Sequence, residues 1–437
     1  MSVTDYQSAL TYIHTRPRLH KEANLDRMQQ LLAALGNPQQ DQHFIHVTGT
    51  NGKGSVVNLL SCLLEATGLK VGRYTSPFIT RFNERIAIDQ VPIPDAQLVL
   101  ITQQIEQAVL LLQKKDPGFA ATEFETITAM MFSYFKTQAV DIAVVEVGIG
   151  GLYDSTNVLR PELSVITSVG LDHQALLGQQ LTDIARHKAG IIKAHRPVVI
   201  GKLPEEAQAV IAATATRLKS PLIQNGRDFQ FSDAKNLPTW GQQLTFNQAN
   251  LQLRQLQIPL MGDYQLDNTA VAIAAYLNYL AQHHLPVDIL TIKRGLKRAS
   301  WPGRFEKVND EPLIILDGAH NPEGIQQLIK TMQHQFHGRD IRILFGALGD
   351  KNLDQMLPPL KKLAQPLILT TVPDNPRAAS QAQYAQIDDS IDFETDWPVA
   401  LARLLADTSV DDVIIITGSL YLISAIRQYF KGAITDD

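Results

Sequence analysis

The chain has 437 residues, a formal net charge of −5 and 19% charged side chains. This length predicts two or three domains, and the slightly acidic balance gives no basic field for binding nucleic acid. No apolar run reaches the length of a membrane span, and "MSVTDYQSALTYIHTRPRLH" has no apolar signal core, so we expect a cytoplasmic protein with no membrane partner. The single Cys62 excludes an intrachain disulfide and a cysteine-built metal site.

Apolar runs of strand length alternate with amphipathic helices in the first part of the chain. The runs predicted as strands are "HFIHVTG", "LKVGRYTSP", "VDIAVVEVGIGG", "ELSVITSVGLDH" and "RPVVIGK". Because they are rich in valine and isoleucine, they indicate strands buried on both faces of a mainly parallel sheet. Residues 225–260 consist of short runs with turns, which predicts a small antiparallel part, and helices follow near 264–284 and 288–298.

The segment "SWPGRFE", residues 300–306, interrupts this pattern, and a second α/β series begins after it. In that series "PLIILDGAH", "IRILFGA", "PLILTTV" and "DVIIITGS" are predicted strands that alternate with helices, the first of them over residues 322–336. We therefore predict an α/β protein with two domains, residues 1–298 and residues 299–437, the first about twice the size of the second.

The segment "HVTGTNGKGS" joins the first predicted strand of the sheet to a helix, which is the context of a phosphate-binding loop. Glycines let backbone N–H groups approach an anion, and the helix N-terminus adds unpaired donors. Counted from Gly49 the spacing is shorter than in the usual P-loop, and the alternative is an ordinary glycine-rich turn. The residues expected to bind the phosphates of ATP are Thr50, Asn51, Gly52, Lys53, Gly54 and Ser55.

Three polar residues follow predicted parallel strands and are expected at the same sheet edge as this loop. Glu146 ends one strand, His173 lies just past the next, and Ser76 follows a third. A hydroxyl, a carboxylate and an imidazole could hold Mg²⁺ together with waters and phosphate oxygens, and Mn²⁺ is possible because histidine is an unusual magnesium ligand. The alternatives are a solvated strand end for Glu146 and a hydrogen-bonded loop histidine for His173.

A series of motifs carries a family resemblance from about residue 40 to the end of the chain. In order they are "HVTGTNGKGS", "YTSPF", "FNERI", "EVGIGG…DSTN", "LDH…LG…IARHKAGIIK", "GDYQLDN" and "DGAHNP". Together they resemble the folylpolyglutamate synthase family of Mur-type ATP-dependent ligases. The resemblance implies a P-loop α/β domain joined to a smaller Rossmann-like α/β domain, and a reaction in which ATP activates a carboxylate for attack by an amine.

The same resemblance implies roles for residues at the matching positions. Mg²⁺ ligands fall on Ser76, Glu146 and His173, and Lys188 matches a lysine that CO₂ carbamylates so that it supports a second metal. Taken alone, Lys188 would more often be a solvated helix lysine, and only a lysine with a lowered pKa would react readily. Lys53 and Lys188 are therefore expected catalytic residues.

ATP contacts are implied at Asn268, Arg304 and Asp317, and His320 is expected near the reacting phosphate as a third catalytic residue. Asp317 ends a predicted strand of the second domain, and Arg304 lies between the domains, so it could reach the phosphates on closure. The alternatives are a turn-capping aspartate and a surface arginine.

The loop "SPFITRFNERI" is the predicted folate contact. Phe78 and Phe82 could pack on a pterin, and Arg85 could hold a glutamate carboxylate in bidentate geometry, although core aromatics beside surface arginines are an equal alternative. The resemblance also implies that Ser419 and Tyr421 face the interdomain cleft and help place the incoming glutamate.

Two positions depart from many bacterial relatives in the region that they use for the pteroate end of the substrate. Leu152 stands where those relatives have an arginine, although Asp154 is retained as a substrate-binding residue, and "SPF" replaces S-P-H. Loss of a cation that could hold the pteroate carboxylate predicts glutamate addition without dihydrofolate synthesis.

The predicted function is ATP-dependent addition of L-glutamate to the γ-carboxylate of a reduced folate by a monomer. The alternatives are a bifunctional enzyme that also makes dihydrofolate from dihydropteroate, a muropeptide ligase and a P-loop ATPase switch. Only 48 residues precede Gly49, which disfavours the extra N-terminal domain of a muropeptide ligase. A switch would need a conventional P-loop spacing.

Overall fold

The computed structural model describes residues 3–18, 24–364 and 366–435. The first two residues of the first predicted domain and the last two of the second therefore lie outside the described residues. The α-helices in this part of the chain are α1 Tyr6–His14, α2 Asp26–Ala34, α3 Lys53–Ala66, α4 Asp95–Lys115, α5 Glu123–Thr137, α6 Gln174–Leu177, α7 Leu181–Ala189, α8 Glu205–Arg217, α9 Asp263–Gln282, α10 Ile289–Lys297, α11 Pro322–Gln335, α12 Leu353–Leu363, α13 Gln381–Ala385, α14 Trp397–Ala406 and α15 Leu420–Thr435. Among these described helices, none is both long enough and apolar enough to cross a membrane.

The strands are β1 Phe44–Thr48, β2 Val71–Tyr74, β3 Ile86–Ile88, β4 Val91–Pro92, β5 Ile142–Glu146, β6 Leu163–Ile166, β7 Val198–Ile200, β8 Leu222–Gln224, β9 Phe229–Asn236, β10 Gln242–Gln248, β11 Leu251–Ile258, β12 Glu306–Asn309, β13 Leu313–Leu316, β14 Ile341–Phe345, β15 Leu367–Thr370, β16 Asp392–Glu394 and β17 Val413–Thr417. Short 3₁₀ helices span Phe82–Arg85 and Ser155–Val158. The strands form three sheets.

The first sheet has the strand order β4-β3-β2-β5-β1-β6-β7-β8. The six strands from β2 to β8 in this order pair in parallel, and β3 and β4 add an antiparallel edge. All residues of β1 and β5 are buried, because helices cover both faces of the sheet. Ile45 and Val144 pack with α3, α9 and α10, whereas Phe44 and Val145 pack with α1, α2, α4 and α5. The predicted mainly parallel sheet is confirmed.

The second sheet is antiparallel, with the order β11-β10-β9. Its buried side chains, among them Phe229, Phe246 and Leu256, belong to the same hydrophobic cluster as α3 and α9. This sheet therefore extends the first core, as the change of pattern at residues 225–260 predicted.

The third sheet has the order β12-β13-β17-β14-β15-β16. Its five strands from β13 to β16 pair in parallel and β12 is antiparallel to β13. One face packs on α11 and α12 and the other on α14 and α15, which gives the separate C-terminal α/β unit that was predicted. Residues 298–305, here called the linker, connect α10 to β12, and the predicted boundary near 299 falls within it.

Several helices of the N-terminal part, among them α1, α2, α4 and α5, were not singled out by the sequence pattern. In α5 every residue from Glu125 to Phe135 is buried, so the one-sided apolar stripe that marks an amphipathic helix is missing. In α4 the leucines Leu100, Leu110 and Leu111 are exposed, so apolar residues also occupy the outer face and the one-sided pattern is lost. Helices buried all round, or with apolar residues on the outer face, give no clear helical period.

A buried histidine on β1 makes the stability of the N-terminal part depend on pH. His46 is fully buried, its Nε2 lies 2.8 Å from the Thr156 hydroxyl, and burial lowers its pKa to about 3. The unfolded chain takes up a proton on this residue below about pH 6.5, whereas the folded chain stays neutral until about pH 3. Stability is therefore lost as the pH falls through this window, by up to about 1.4 kcal/mol per pH unit.

We expect His46→Gln to flatten this pH dependence, because glutamine can donate to Thr156 but does not titrate. The measurement is the free energy of unfolding in urea between pH 4.5 and 7. The exposed His337→Gln is the matched control and should leave the slope unchanged. A slope for His46→Gln equal to that of the wild type would contradict the assignment.

Candidate active site

A cavity of about 980 Å³ lies where the carboxyl ends of β1, β2, β5 and β6 meet the linker and the start of α11. The predicted site residues that line it are Thr50, Asn51, Gly52, Lys53, Gly54, Ser55, Ser76, Arg85, Glu146, Asp154, His173, Asn268, Arg304, Asp317, His320 and Tyr421. Four others, Phe78, Phe82, Lys188 and Ser419, do not line it. Most of the predicted site is therefore brought together at one sheet edge.

The glycine-rich loop is packed so closely that its glycines cannot be replaced freely. A Cβ atom on Gly49 would lie 1.9 Å from the Thr167 hydroxyl, and one on Gly54 would lie 2.4 Å from the Trp301 ring. Gly52 has φ 82°, in the left-handed region that favours glycine, directly before α3. The Lys53 ammonium donates to the carbonyl oxygens of Gly49 at 2.9 Å and Thr50 at 3.2 Å. The cation thus lies over the loop, at the N-terminus of a helix, where an anion would be stabilised.

Trp301 of the linker forms part of the wall behind this loop. Besides covering Gly54, its ring lies 5.7 Å from the Arg73 guanidinium carbon in a cation–π contact. The side chain also packs against the core of α3 and α9. The linker is therefore anchored on α3 and the glycine-rich loop before it reaches Arg304.

Glu146 is a buried carboxylate at the end of β5. It is 4% exposed and accepts a hydrogen bond from the Ser76 backbone N–H at 3.1 Å. Burial raises its pKa to about 7, against the opposing effects of Lys53, the Ser76 N–H, Arg304 and Arg85. Among the described residues, no lysine or arginine forms an ion pair with it. A divalent cation would supply the missing positive charge.

His173 occupies a left-handed position, φ 49°, directly before α6 and lines the same cavity. Its Nε2 atom is 4.0 Å from the Asp172 carboxylate, and burial lowers its pKa, which favours the neutral form that can bind a metal. Within the described part of the chain, no three His, Cys, Asp or Glu side chains already converge on one ion position. Any metal bound by Glu146 and His173 would therefore also need other ligands, such as the Ser76 hydroxyl, phosphate oxygens or water.

Lys188 lies behind the cavity wall, on α7, and is 2% exposed. Burial, together with the nearby positive charge of Lys53, holds the pKa of its amine well below the usual value. It is not the solvated helix lysine that was the alternative interpretation. A buried amine with a lowered pKa is neutral more often and can react with CO₂.

The C-terminal part contributes an aspartate and a histidine at the end of β13. Asp317 accepts hydrogen bonds from the N–H groups of Phe305 and Ala319, each at 2.9 Å, and from the Tyr264 hydroxyl at 3.2 Å. His320 donates from Nδ1 to the Gly318 carbonyl oxygen at 2.7 Å, and burial lowers its pKa to about 4. At neutral pH this imidazole is uncharged and its Nε2 atom can accept a proton.

Arg85, the arginine that was predicted to bind a substrate carboxylate, lines the cavity. Its guanidinium lies over the rings of Phe78 at 5.2 Å and Phe82 at 5.7 Å, and its buried Nε atom has no hydrogen-bond partner among the described residues. Phe82 itself is 4% exposed and makes an edge contact with His14, so it is a core residue. Both aromatic rings support Arg85 from behind instead of lining the cavity as predicted.

The other three residues predicted to bind substrate, Tyr421, Ser419 and Asp154, lie in different surroundings. Tyr421 is 52% exposed and lines the cavity, whereas Ser419 is buried and its hydroxyl accepts from the Tyr421 N–H, so it does not face the cleft. Asp154 lines the cavity, but its oxygens already accept from the N–H groups of Ile149 and Thr156, both at 3.0 Å. Its clearest role is to hold the loop that carries the exposed Leu152.

Sequence reasoning missed most of a group of polar residues that connects the N-terminal part to the C-terminal part, since only Asn51 of this group was predicted. Asn51 donates to Glu323 at 3.0 Å, and Asn321 donates to Asn51 at 3.3 Å and to Asp172 at 3.4 Å. Lys351 forms an ion pair with Asp172 at 3.7 Å. Their only signal was proximity to chosen residues, since Asp172 precedes His173 and Asn321 follows His320.

This fold and site define an ATP-dependent ligase of the Mur type. The model of the Mur ligase middle domain matches residues 47–276, and that of the Mur ligase, glutamate ligase domain, matches residues 303–420. The folylpolyglutamate synthase of Lacticaseibacillus casei is 47% identical over 98% of this chain and 99% of its own. The dihydrofolate synthase/folylpolyglutamate synthase of Bacillus subtilis is 37% identical over 98% of this chain and 100% of its own.

Solved structures show the same similarity. The apo form of the L. casei enzyme has a TM-score of 0.89 and 46% identity over 98% of this chain and 100% of its own. An FPGS–AMPPCP–folate complex has a TM-score of 0.89 and 46% identity over 98% of this chain and 99% of its own. The chain belongs to the folylpolyglutamate synthase family of Mur ligases.

Proposed function

We propose that the protein adds L-glutamate to the γ-carboxylate of tetrahydrofolate and its polyglutamates, with ATP as the energy source. The observation that carries this proposal is one continuous cavity, which runs from the glycine-rich loop at Lys53, past the buried Glu146, to Arg85, whose Nε atom has no hydrogen-bond partner among the described residues. A cavity of this kind suits a triphosphate at one end and an anionic acceptor at the other. Support also comes from the related FPGS complex that contains both AMPPCP and folate.

The reaction requires that a poor electrophile be activated. An oxygen of the acceptor carboxylate attacks the γ-phosphorus, the bond to ADP breaks, and an acyl phosphate forms. The amine of glutamate then attacks the carbonyl carbon, phosphate leaves, and the amine gives up a proton. Lys53 and the loop N–H groups would hold the phosphates, Arg304 would add positive charge, and neutral His320 could bind or accept a proton near the reacting phosphate.

We further propose that Ser76, Glu146 and His173 bind Mg²⁺, or Mn²⁺ in its place. The fit is supported by a buried carboxylate with a raised pKa that lacks a cationic partner among the described residues. When bound, such an ion neutralises phosphate charge. Carbamylated Lys188 would provide an anionic ligand for a second ion, and the lowered pKa of its buried amine supports that modification.

Glu146→Gln and His173→Ala are each expected to raise the Mg²⁺ concentration needed for half-maximal activity by roughly tenfold or more, because each loses one ligand. The measurement is glutamate incorporation during a Mg²⁺ titration at saturating ATP. Glu162→Gln, at a carboxylate held by His43 and His283 away from the cavity, is the matched control. Titration curves of both variants that overlay that of the wild type would exclude these residues as ligands.

The finer specificity is also part of the proposal. Leu152, at the position where many relatives have an arginine, and Asp154, whose oxygens are occupied by backbone N–H groups, favour glutamate addition alone. The B. subtilis relative carries both activities in its name, so the bifunctional alternative is the relevant one. We also propose that the enzyme works in the cytoplasm as a monomer.

The deciding experiment measures labelled glutamate incorporation with tetrahydrofolate and, separately, with dihydropteroate. We expect incorporation only with tetrahydrofolate, and only when ATP is present. Dihydrofolate formation at a comparable rate would show that the enzyme is bifunctional. ATP hydrolysis that does not depend on either folate or glutamate would contradict the ligase function itself and favour a P-loop switch.

A further inference from the structure

The C-terminal helix α15 contacts a loop that belongs to the N-terminal part. This loop, residues 76–85, begins at Ser76 and ends at Arg85, so both of its ends line the cavity. The Ser424 hydroxyl donates to the carbonyl oxygen of Ile79, and Gln428 donates to that of Thr80 at 3.4 Å. Arg427 donates from Nη1 to the Thr80 hydroxyl at 2.9 Å.

Within itself the loop is held as one unit. The Glu84 carboxylate accepts hydrogen bonds from the N–H groups of Ile79, Thr80 and Arg81, at 2.9 to 3.2 Å. A contact that fixes Thr80 therefore also restrains the residues next to it. Movement of this tip would shift the two ends at Ser76 and Arg85, because they are only a few residues away.

Arg427 also holds the linker, through Glu306, the first residue of β12. Its Nε atom lies 2.9 Å from both oxygens of Glu306, and Glu306 also accepts from the Gly303 N–H at 2.7 Å. Gly303 directly precedes Arg304. The Arg427 side chain is 8% exposed, so these bonds are shielded from solvent. The planar fork of arginine can serve both partners at once, which the single ammonium of lysine does less well.

We propose that Arg427 is a positioning residue, which fixes the loop 76–85 relative to Arg304. The cavity is then complete only when α15 packs against this loop and the linker. The role in catalysis rests on the proposed function. Arg427 touches neither the phosphates nor the acceptor in this scheme and acts through Thr80 and Glu306. Loss of register at both sites would lower the rate of the chemical step more than the affinity for either substrate.

Arg427→Ala is expected to lower kcat for glutamate addition by roughly 10- to 100-fold, with a smaller change in KM for ATP and folate. Arg427→Lys should restore part of this loss. Hydrogen exchange, measured without any substrate, should show lost protection at residues 77–84 in Arg427→Ala. Arg342→Ala is the matched control, since it removes another shielded ion pair of the C-terminal sheet, to Asp412 at 3.0 Å, far from the loop.

Thr80→Val removes only the loop contact and tests the proposal even if Arg427→Ala does not fold. In an Arg427→Ala background Thr80→Val should have no further effect on kcat, because the hydrogen bond between the two side chains is already lost. Wild-type kcat in Thr80→Val and Arg427→Lys, or an equal loss of kcat in Arg342→Ala, would overturn the proposal. If the wild type adds no glutamate but the exchange result holds, the proposed function fails and the positioning role stands.

Discussion

Lys188→Arg is expected to lose roughly a thousandfold or more of the glutamate-adding activity while the protein stays folded. Loss of a metal that contributes several kcal/mol to the transition state corresponds to a factor of this size. The buried amine of Lys188 can be neutral and take up CO₂, whereas an arginine remains charged and cannot form the carbamate. The measurement is the steady-state rate of glutamate incorporation at saturating ATP, Mg²⁺ and tetrahydrofolate. A fully active Lys188→Arg enzyme would exclude carbamylation from the mechanism.

A second variant separates the carbamate from a purely structural role of the lysine. Lys188→Ala should be as inactive as the arginine variant, but acetate or formate could enter the vacated space and restore part of the activity. Lys193→Ala is the matched control, because Lys193 is a nearby lysine whose pKa is likewise lowered by burial, although it is only half-buried and donates to Asn157 at 2.8 Å. If acetate or formate also raises the activity of Lys193→Ala, or fails to raise that of Lys188→Ala, the result would count against a carboxylate ligand at Lys188.

Lys53→Ala is expected to lower kcat by roughly a thousandfold, because it removes the positive charge that lies over the glycine-rich loop, where we propose that the phosphates bind. The free energy of unfolding should change by about 1 kcal/mol or less, since only hydrogen bonds within one loop are lost. The measurements are glutamate incorporation and urea unfolding of the same preparation.

Lys202→Ala is the control for this prediction. Lys202 also lines the cavity but is 61% exposed and paired with Asp267 at 3.0 Å, so its removal should cost little activity. Wild-type turnover in Lys53→Ala would show that the loop does not act on phosphate.

The sequence was sufficient to predict the architecture because its strongest signals are local. The strands β1 and β5 are buried along their whole length, and most of their residues are apolar, which makes them recognisable in the sequence. The glycine-rich loop was equally clear, since strand, glycines and helix are adjacent in the chain. Residues at the carboxyl ends of neighbouring parallel strands, such as Glu146 and His173, could be placed on one edge by topology alone.

What could not be predicted depends on contacts between distant parts of the chain. Asn51 and Glu323 are 272 residues apart, and only the tertiary fold, which places the start of α11 beside the glycine-rich loop, brings them together. The orientation of a side chain is likewise set by tertiary packing. Phe82 and Phe78 were reasonable substrate contacts by residue type, but the fold turns them behind Arg85. Ser419 faces inward for the same reason.

The position of Trp301 limits how the chain can be recombined with its relatives. The linker is the natural place to cut this two-domain chain, yet it supplies the ring that covers Gly54 of the glycine-rich loop. A chimera joined at residue 298 would take this ring from one parent and the glycine from the other. A crossover after Trp301 keeps the ring and the loop from the same parent and therefore preserves the close contact between them.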